Sequence, residues 1–183
     1  MQFGILGLPK AGKTTLFNTL TAAAEETGKF SASDRTHVGV ARVPDPRLAR
    51  LRDLYRPRRY VPATVEYVDI PGLQRGEGAE SLDLGRLRTV DGLLHVVRAF
   101  TDPEIPHPDG AVDPRRDIET IDLELILADH SLVERRLERL GKAAKRGLSP
   151  QEVREEQLLR EVVLPALEAE RPLRALGLAG DDE

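Results

Sequence analysis

The segment Gly7-Leu8-Pro9-Lys10-Ala11-Gly12-Lys13-Thr14 constrains this chain more than any other part of it. It satisfies the spacing G-x-x-x-x-G-K-[ST] and follows a short apolar run, Gln2 to Leu6 (QFGIL). It also opens a stretch, Lys13 to Ala24 (KTTLFNTLTAAA), in which Leu16, Phe17 and Leu20 recur at helical spacing. Strand, glycine-rich loop and helix in that order make a phosphate cradle. Glycines let the backbone close around an anion, and loop N–H groups with the helix N-terminus meet its charge. The spacing predicts a nucleotide-binding loop from Gly7 to Thr15, with Gly7, Pro9, Lys10, Ala11, Gly12 and Thr15 lining it. The Lys13 ammonium reaches the β- and γ-phosphates, and the Thr14 hydroxyl is a magnesium ligand.

A second motif lies about 55 residues further on. Asp69-Ile70-Pro71-Gly72 closes the β-branched run Ala63 to Ile70 (ATVEYVDI), which puts Asp69 at the C-terminal end of a strand, the edge at which parallel sheets bind ligands. Asp69 can hold the magnesium shell, and the Gly72 N–H can sense a γ-phosphate. This placement favours a switch-type NTPase over a P-loop kinase acting on a small metabolite. Such a switch needs one more hydroxyl for the metal, and the candidates are Ser33 and Thr36 in the polar segment Phe30 to His37 (FSASDRTH). Leu73 follows Gly72 where Ras-like GTPases carry a glutamine that orients the attacking water. A leucine cannot do this, so either hydrolysis is slow or another group positions the water; His107 is a candidate, against the alternative of a solvated loop histidine.

The rest of the chain reads as alternating strands and helices and then as helix alone. A strand is expected at Val38 to Val43, ended by Pro44 and Pro46, which donate no N–H to a ladder. A short helix follows around Leu48 to Tyr55, and another strand at Gly92 to Ala99. The fold class is therefore α/β, a P-loop NTPase domain with a mostly parallel sheet. Four prolines and a glycine make 102–114 a loop. Beyond it, Ile118, Ile121, Leu125, Ala128 and Leu132, then Val133, Leu137, Leu140 and Ala144, mark an amphipathic helix of about 30 residues, or about 45 Å. Ser149-Pro150 is an N-cap with proline at the first helical position, and Gln151 to Glu170 form a second helix that Pro165 should kink. A short turn makes the two an antiparallel hairpin. The expected division is 1–116 for the first part of the nucleotide domain, 117–174 for the helical arm and 175–183 for a tail.

Charge follows this division. Met1 to Ile118 carries 17 basic and 16 acidic residues, whereas Glu119 to Glu183 carries 10 basic and 15 acidic. There is no cysteine, hence no disulfide framework and no cysteine-ligated metal centre. Apolar runs are far short of a membrane span, the start MQFGILGLPK is unlike a secretory leader, and a cytoplasmic protein is the default expectation. Arg47, Arg50, Arg52, Arg56, Arg58 and Arg59 crowd thirteen positions with Asp53 as the one acid among them. They are either a solvated helix face or a surface for RNA phosphates. His95 is expected as a hydrogen-bonded histidine of a buried strand.

GLPKAGKTTLFNTLT, VGVARVPDPRL, VPATVEYVDIPGL, HVVRAF and DPRRDIETIDLEL resemble, in order and spacing over nearly the whole chain, the YchF group, the Obg-like ATPases within the translation-factor-related P-loop GTPases. The resemblance implies a P-loop domain carrying an inserted coiled-coil arm, a preference for ATP over GTP, magnesium as cofactor, and association with the ribosome through its RNA or protein. It also implies a hydrophobic residue after DxxG, as at Leu73, and a functional loop histidine, which falls on His107. Aligning VGV places the family's magnesium-binding threonine at Ser33 with a one-residue deletion, leaving Thr36 as fallback. Lys10 stands where the family has an asparagine linked to monovalent cations, DIPGL replaces DIAGL, and the glycine-rich stretch after it is shortened to Gln74 to Leu84. The family's base-recognition motif, Asn-x-x-Glu, has no match in Arg171 to Glu183, and its remaining strands and TGS domain are not in the chain. Two functional classes follow: an NTP-hydrolysing, ribosome-associated switch, or a non-hydrolysing module whose arm docks a ribosomal or protein partner.

Overall fold

The computed structural model describes residues 1–22, 37–71 and 89–178. The described residues fall into two compact units, one ending at Pro114 and the other beginning at Arg115.

The first unit is built on a four-stranded sheet in the order β2-β3-β1-β4. These strands are β1 (Gln2–Leu6), β2 (His37–Arg42), β3 (Thr64–Asp69) and β4 (Gly92–His95). The central strand β1 pairs in parallel with both β3 and β4, and β2 adds an antiparallel edge, so two of the three pairings are parallel. Burial explains the central position of β1: Ile5 and Leu6 are sealed in the core with Phe17 of helix α1 (Lys13–Thr21) and with Val68 and Ile70. Gly39 of β2 admits α1 closely, since a Cβ there would lie 2.6 Å from Thr21 Cγ2 and 2.9 Å from the Phe17 ring. Helix α2 (Pro46–Tyr55) begins as its sequence directs, with Asp45 as N-cap accepting from the Arg47 N–H and proline in the first turn, yet none of its residues is buried. β4 is shorter than the expected run to Ala99, and His95 at its end is half-buried, not the core residue anticipated.

The second unit is helical. Helix α3 (Pro114–Ala144) runs 31 residues, and Pro114, expected in the preceding loop, opens it. Beyond Gly147 at φ +90°, Ser149 caps α4 (Pro150–Leu158) with a capping box: the Glu152 N–H donates to Ser149 Oγ at 3.2 Å, and the Ser149 N–H to the Glu152 carboxylate at 2.8 Å. The kink expected at Pro165 takes the form of a π-turn, Leu159–Val163, in which the Leu164 N–H donates to the Leu159 carbonyl, five residues back. Widening the turn before proline relieves the clash with the carbonyl four residues back, and α5 (Leu164–Glu168) continues from it. α3 packs on these segments through Ile126, Val133 and Leu137 against Val163 and Leu167. Arg136 donates twice to the Glu155 carboxylate at 2.6 Å, and Arg174 donates to Asp122 at 2.7 Å. The buried face of α3 differs from the expected one in its first half: Ile126 is buried, Leu125 is half-buried, and Ile118 and Leu132 are exposed. Leucine and isoleucine occupy both positions 125 and 126, so the apolar pattern alone cannot fix the helix rotation there.

Candidate nucleotide site

The parallel pairing of β1 with β3 brings the two sequence motifs to one edge. Ile5 lies opposite Asp69, and the Ile70 N–H donates to the Ile5 carbonyl at 3.2 Å, so Asp69 ends β3 where the loop leaves β1. β4 closes the other side: Leu6 lies opposite His95, and the Val96 N–H donates to the Leu6 carbonyl at 2.8 Å. The first glycine is required by this packing, because a Cβ at Gly7 would stand 2.3 Å from the Val96 carbonyl oxygen.

The loop then turns through two left-handed residues, Lys10 at φ +61° and Gly12 at φ +102°, Gly12 serving as the N-cap of α1. Leu8 and Ala11 are buried beneath it, and the Ala11 N–H donates to the Leu8 carbonyl at 3.3 Å. Lys13 folds back over the loop. Its Nζ donates to the Gly7 carbonyl at 3.1 Å and to the Leu8 carbonyl at 3.0 Å, with 7% of the residue exposed. Burial draws its pKa from 10.5 down to about 8, and the negative Asp69 carboxylate opposes that fall. Thr14 Oγ1 donates to Asp69 Oδ2 at 2.7 Å, joining residues 55 apart in sequence.

These donors fit magnesium. A hydroxyl and a buried carboxylate are hard oxygen ligands, the class this ion prefers, and they meet at one point beside an ammonium suited to phosphate. Ser33, Thr36, Gly72 and Leu73 lie outside the described residues. The structure thus brings together Gly7, Pro9, Lys10, Ala11, Gly12, Lys13, Thr14 and Thr15 as one loop and helix start, with Asp69 against Thr14.

His107 belongs to the loop after β4 and is buried. The Asp109 N–H donates to its Nδ1 at 3.1 Å, and the Gly110 N–H to its carbonyl at 3.1 Å. With Nδ1 accepting, the neutral ring carries its proton on Nε2. Sequence reasoning assigned no role to Arg98, which shapes the same loop. Only 2% exposed, it donates from Nη2 to the Ile105 carbonyl at 2.7 Å and from Nε to the Phe100 carbonyl at 3.2 Å, its guanidinium 4.7 Å from the Phe100 ring centroid. It lies in the HVVRAF segment, but that pattern assigns it no partner, because its acceptors are defined by the fold of the loop.

A model of the family described as 50S ribosome-binding GTPase matches residues 2–131. This chain belongs to that family. It is 43% identical over 178 residues to the ribosome-binding ATPase YchF of Bacillus subtilis, covering 94% of this chain and 48% of the relative. It is 42% identical over 180 residues to the protein of the same name from Haemophilus influenzae, covering 96% and 49%. The solved structure of the Schizosaccharomyces pombe YchF GTPase shares the fold at a TM-score of 0.70 and 32% identity, covering 95% of this chain and 49% of the other. The YchF resemblance carried by the motifs is thus found in sequence and in fold. The chain spans about half the length of the relatives it matches. Among the described residues, no helix is long and apolar enough to cross a membrane.

Proposed function

We propose that this chain forms the nucleotide-binding portion of a magnesium-dependent P-loop NTPase of the YchF type, which hydrolyses ATP, and GTP as a second substrate, as a ribosome-associated switch. The observation that carries the reading is the joining of the two motifs: Thr14 bonded to Asp69 beside a lysine buried over the loop carbonyls. On this reading Lys13 stabilises phosphate charge, and Gly7 to Thr15 supply the cradle. Thr14 and Ser33, together with Asp69, would hold magnesium, and Gly72 would sense the γ-phosphate. Bound magnesium supplies positive charge to the phosphate oxygens. His107 is the candidate for positioning the attacking water, the task that Leu73 cannot perform. Residues 1–116 are the first part of the nucleotide domain, 117–174 an arm inserted into it, and 175–183 a tail. The ribosome-binding ATPases to which it is similar support the ribosome as partner, and a ribosomal partner implies a cytoplasmic setting.

Calorimetric titration with Mg–ATP and Mg–GTP should show binding that Lys13→Ala abolishes, and unchanged affinity in that variant would refute the assignment. The second reading is a binding module without turnover, whose helical arm docks a ribosomal or protein partner. Phosphate release by this chain and by a form as long as its relatives separates the two.

A further inference from the structure

From the end of β2 to the start of β3 the chain carries seven arginines, Arg42, Arg47, Arg50, Arg52, Arg56, Arg58 and Arg59, against two aspartates. Both aspartates are used locally: Asp45 pairs with Arg47 at 3.0 Å and Asp53 with Arg52 at 2.7 Å. Arg42, Arg50, Arg56, Arg58 and Arg59 form no ion pair among the described residues. Every residue of 50–61 is exposed, including the apolar and aromatic ones, with Leu54 at 71%, Tyr55 at 72% and Tyr60 at 38%. Arg52 lies 5.1 Å over the Tyr60 ring, so that guanidinium and aromatic planes already alternate. A helix kept solely for its packing would bury a face; α2 buries none.

We propose that α2 and the following segment to Tyr60 bind single-stranded RNA, the five unengaged arginines contacting phosphates and Tyr55 and Tyr60 stacking on bases. Exposed aromatics set among arginines match splayed, unstacked bases, whereas a duplex hides its bases in the stack. The second unit has the opposite electrostatics: its cavity of about 470 Å³ is lined by Glu119, Asp122, Glu124 and Glu170 with Arg116 as the one base. The proposal deepens the ribosome-association half of the functional reading and is independent of the nucleotide loop.

Anisotropy of a labelled RNA of roughly 20 nucleotides, titrated with this chain from about 50 to about 300 mM salt, tests it. The logarithm of affinity should fall against the logarithm of salt with a slope of about −3.5, from five contacts at about −0.7 each. Arg58→Glu with Arg59→Glu should lower affinity at least about tenfold and make the slope shallower by about 1.4, while circular dichroism stays that of the parent. Tyr55→Ala should weaken binding about fivefold or more with the slope unchanged. An unchanged affinity in the arginine variant overturns the proposal. So does equal binding of duplex RNA, or comparable binding of polyglutamate, which would mark a generic anion site or an acidic protein partner. Mg–ATP binding in the same variant reads the nucleotide loop separately, so RNA failure with retained nucleotide binding refutes this surface alone.

Discussion

Lys13 binds its loop at a cost that pH should expose. The residue is 7% exposed, and its pKa falls from 10.5 to about 8 because burial disfavours the charged form more than Asp69 favours it. The folded chain therefore gives up this proton at lower pH than the unfolded chain. Between about pH 8 and 10.5 the unfolded state holds more protons, so stability must rise with pH across that window, while below about pH 8 the whole penalty is present. The gap corresponds to about 3 kcal/mol in all, of which about 2 kcal/mol is recovered between about pH 7 and about pH 9.5, before tyrosine ionises. Denaturant unfolding followed by tyrosine fluorescence isolates the first unit, since Tyr55, Tyr60 and Tyr67 all lie in it and the chain has no tryptophan. Lys13→Met removes the titrating group. The stability of the parent minus that of the variant should grow by about 2 kcal/mol over this range in the absence of nucleotide. Neutral lysine still donates to the carbonyls of Gly7 and Leu8, so the pH-dependent part of the difference isolates the charge. A difference that stays flat, or that shrinks as pH rises, would refute the claim that Lys13 is held charged against its surroundings.

Gly7→Ala puts a Cβ 2.3 Å from a backbone oxygen at φ +150°, and should destabilise the first unit by at least about 2 kcal/mol in the same assay while abolishing Mg–ATP binding. Lys10 occupies a left-handed position on the exposed loop; Lys10→Gly should raise the melting free energy by about 1 kcal/mol, and a loss of stability would contradict the strain. In the helical unit, Leu137→Ala should cost about 2–5 kcal/mol and Leu132→Ala under about 1 kcal/mol, because the first is 7% exposed and the second 36%. Equal costs, measured by helical circular dichroism during unfolding, would favour the face expected from the sequence over the one observed.

The legible parts of the molecule are those whose geometry is local. The phosphate loop, its flanking strand and helix, the carboxylate ending β3, and the N-cap at Ser149 each depend on a few consecutive residues, and each stands where the motif placed it. The parts read wrongly depend on neighbours distant in sequence. The rotation of α3 is set by Val163 and Leu167 on the other helical stretch, and two adjacent apolar residues at 125 and 126 leave the choice open until those partners are known. Pro165 announced a distortion, but its form, a π-turn placed before the proline, follows from how the backbone hydrogen bonds are reassigned. Arg98 lies within the HVVRAF segment, yet its role was not legible because its acceptors belong to a loop that exists only once folded.

A deeper reason separates the two classes. At positions 10 and 13 stability alone would choose differently: an asparagine or glycine fits the left-handed turn better than Lys10, and an apolar side chain is buried more cheaply than the Lys13 ammonium. A buried lysine whose charge is destabilised in the isolated fold is a residue kept for a negative partner that arrives later. A phosphate placed beside Nζ raises the pKa again and returns the energy lost on folding as binding energy. Choices that oppose stability are rare in sequences at large, so they stand out to a reader of sequence. The rotation of α3, where leucine and isoleucine compete for one core, is nearly degenerate and therefore silent.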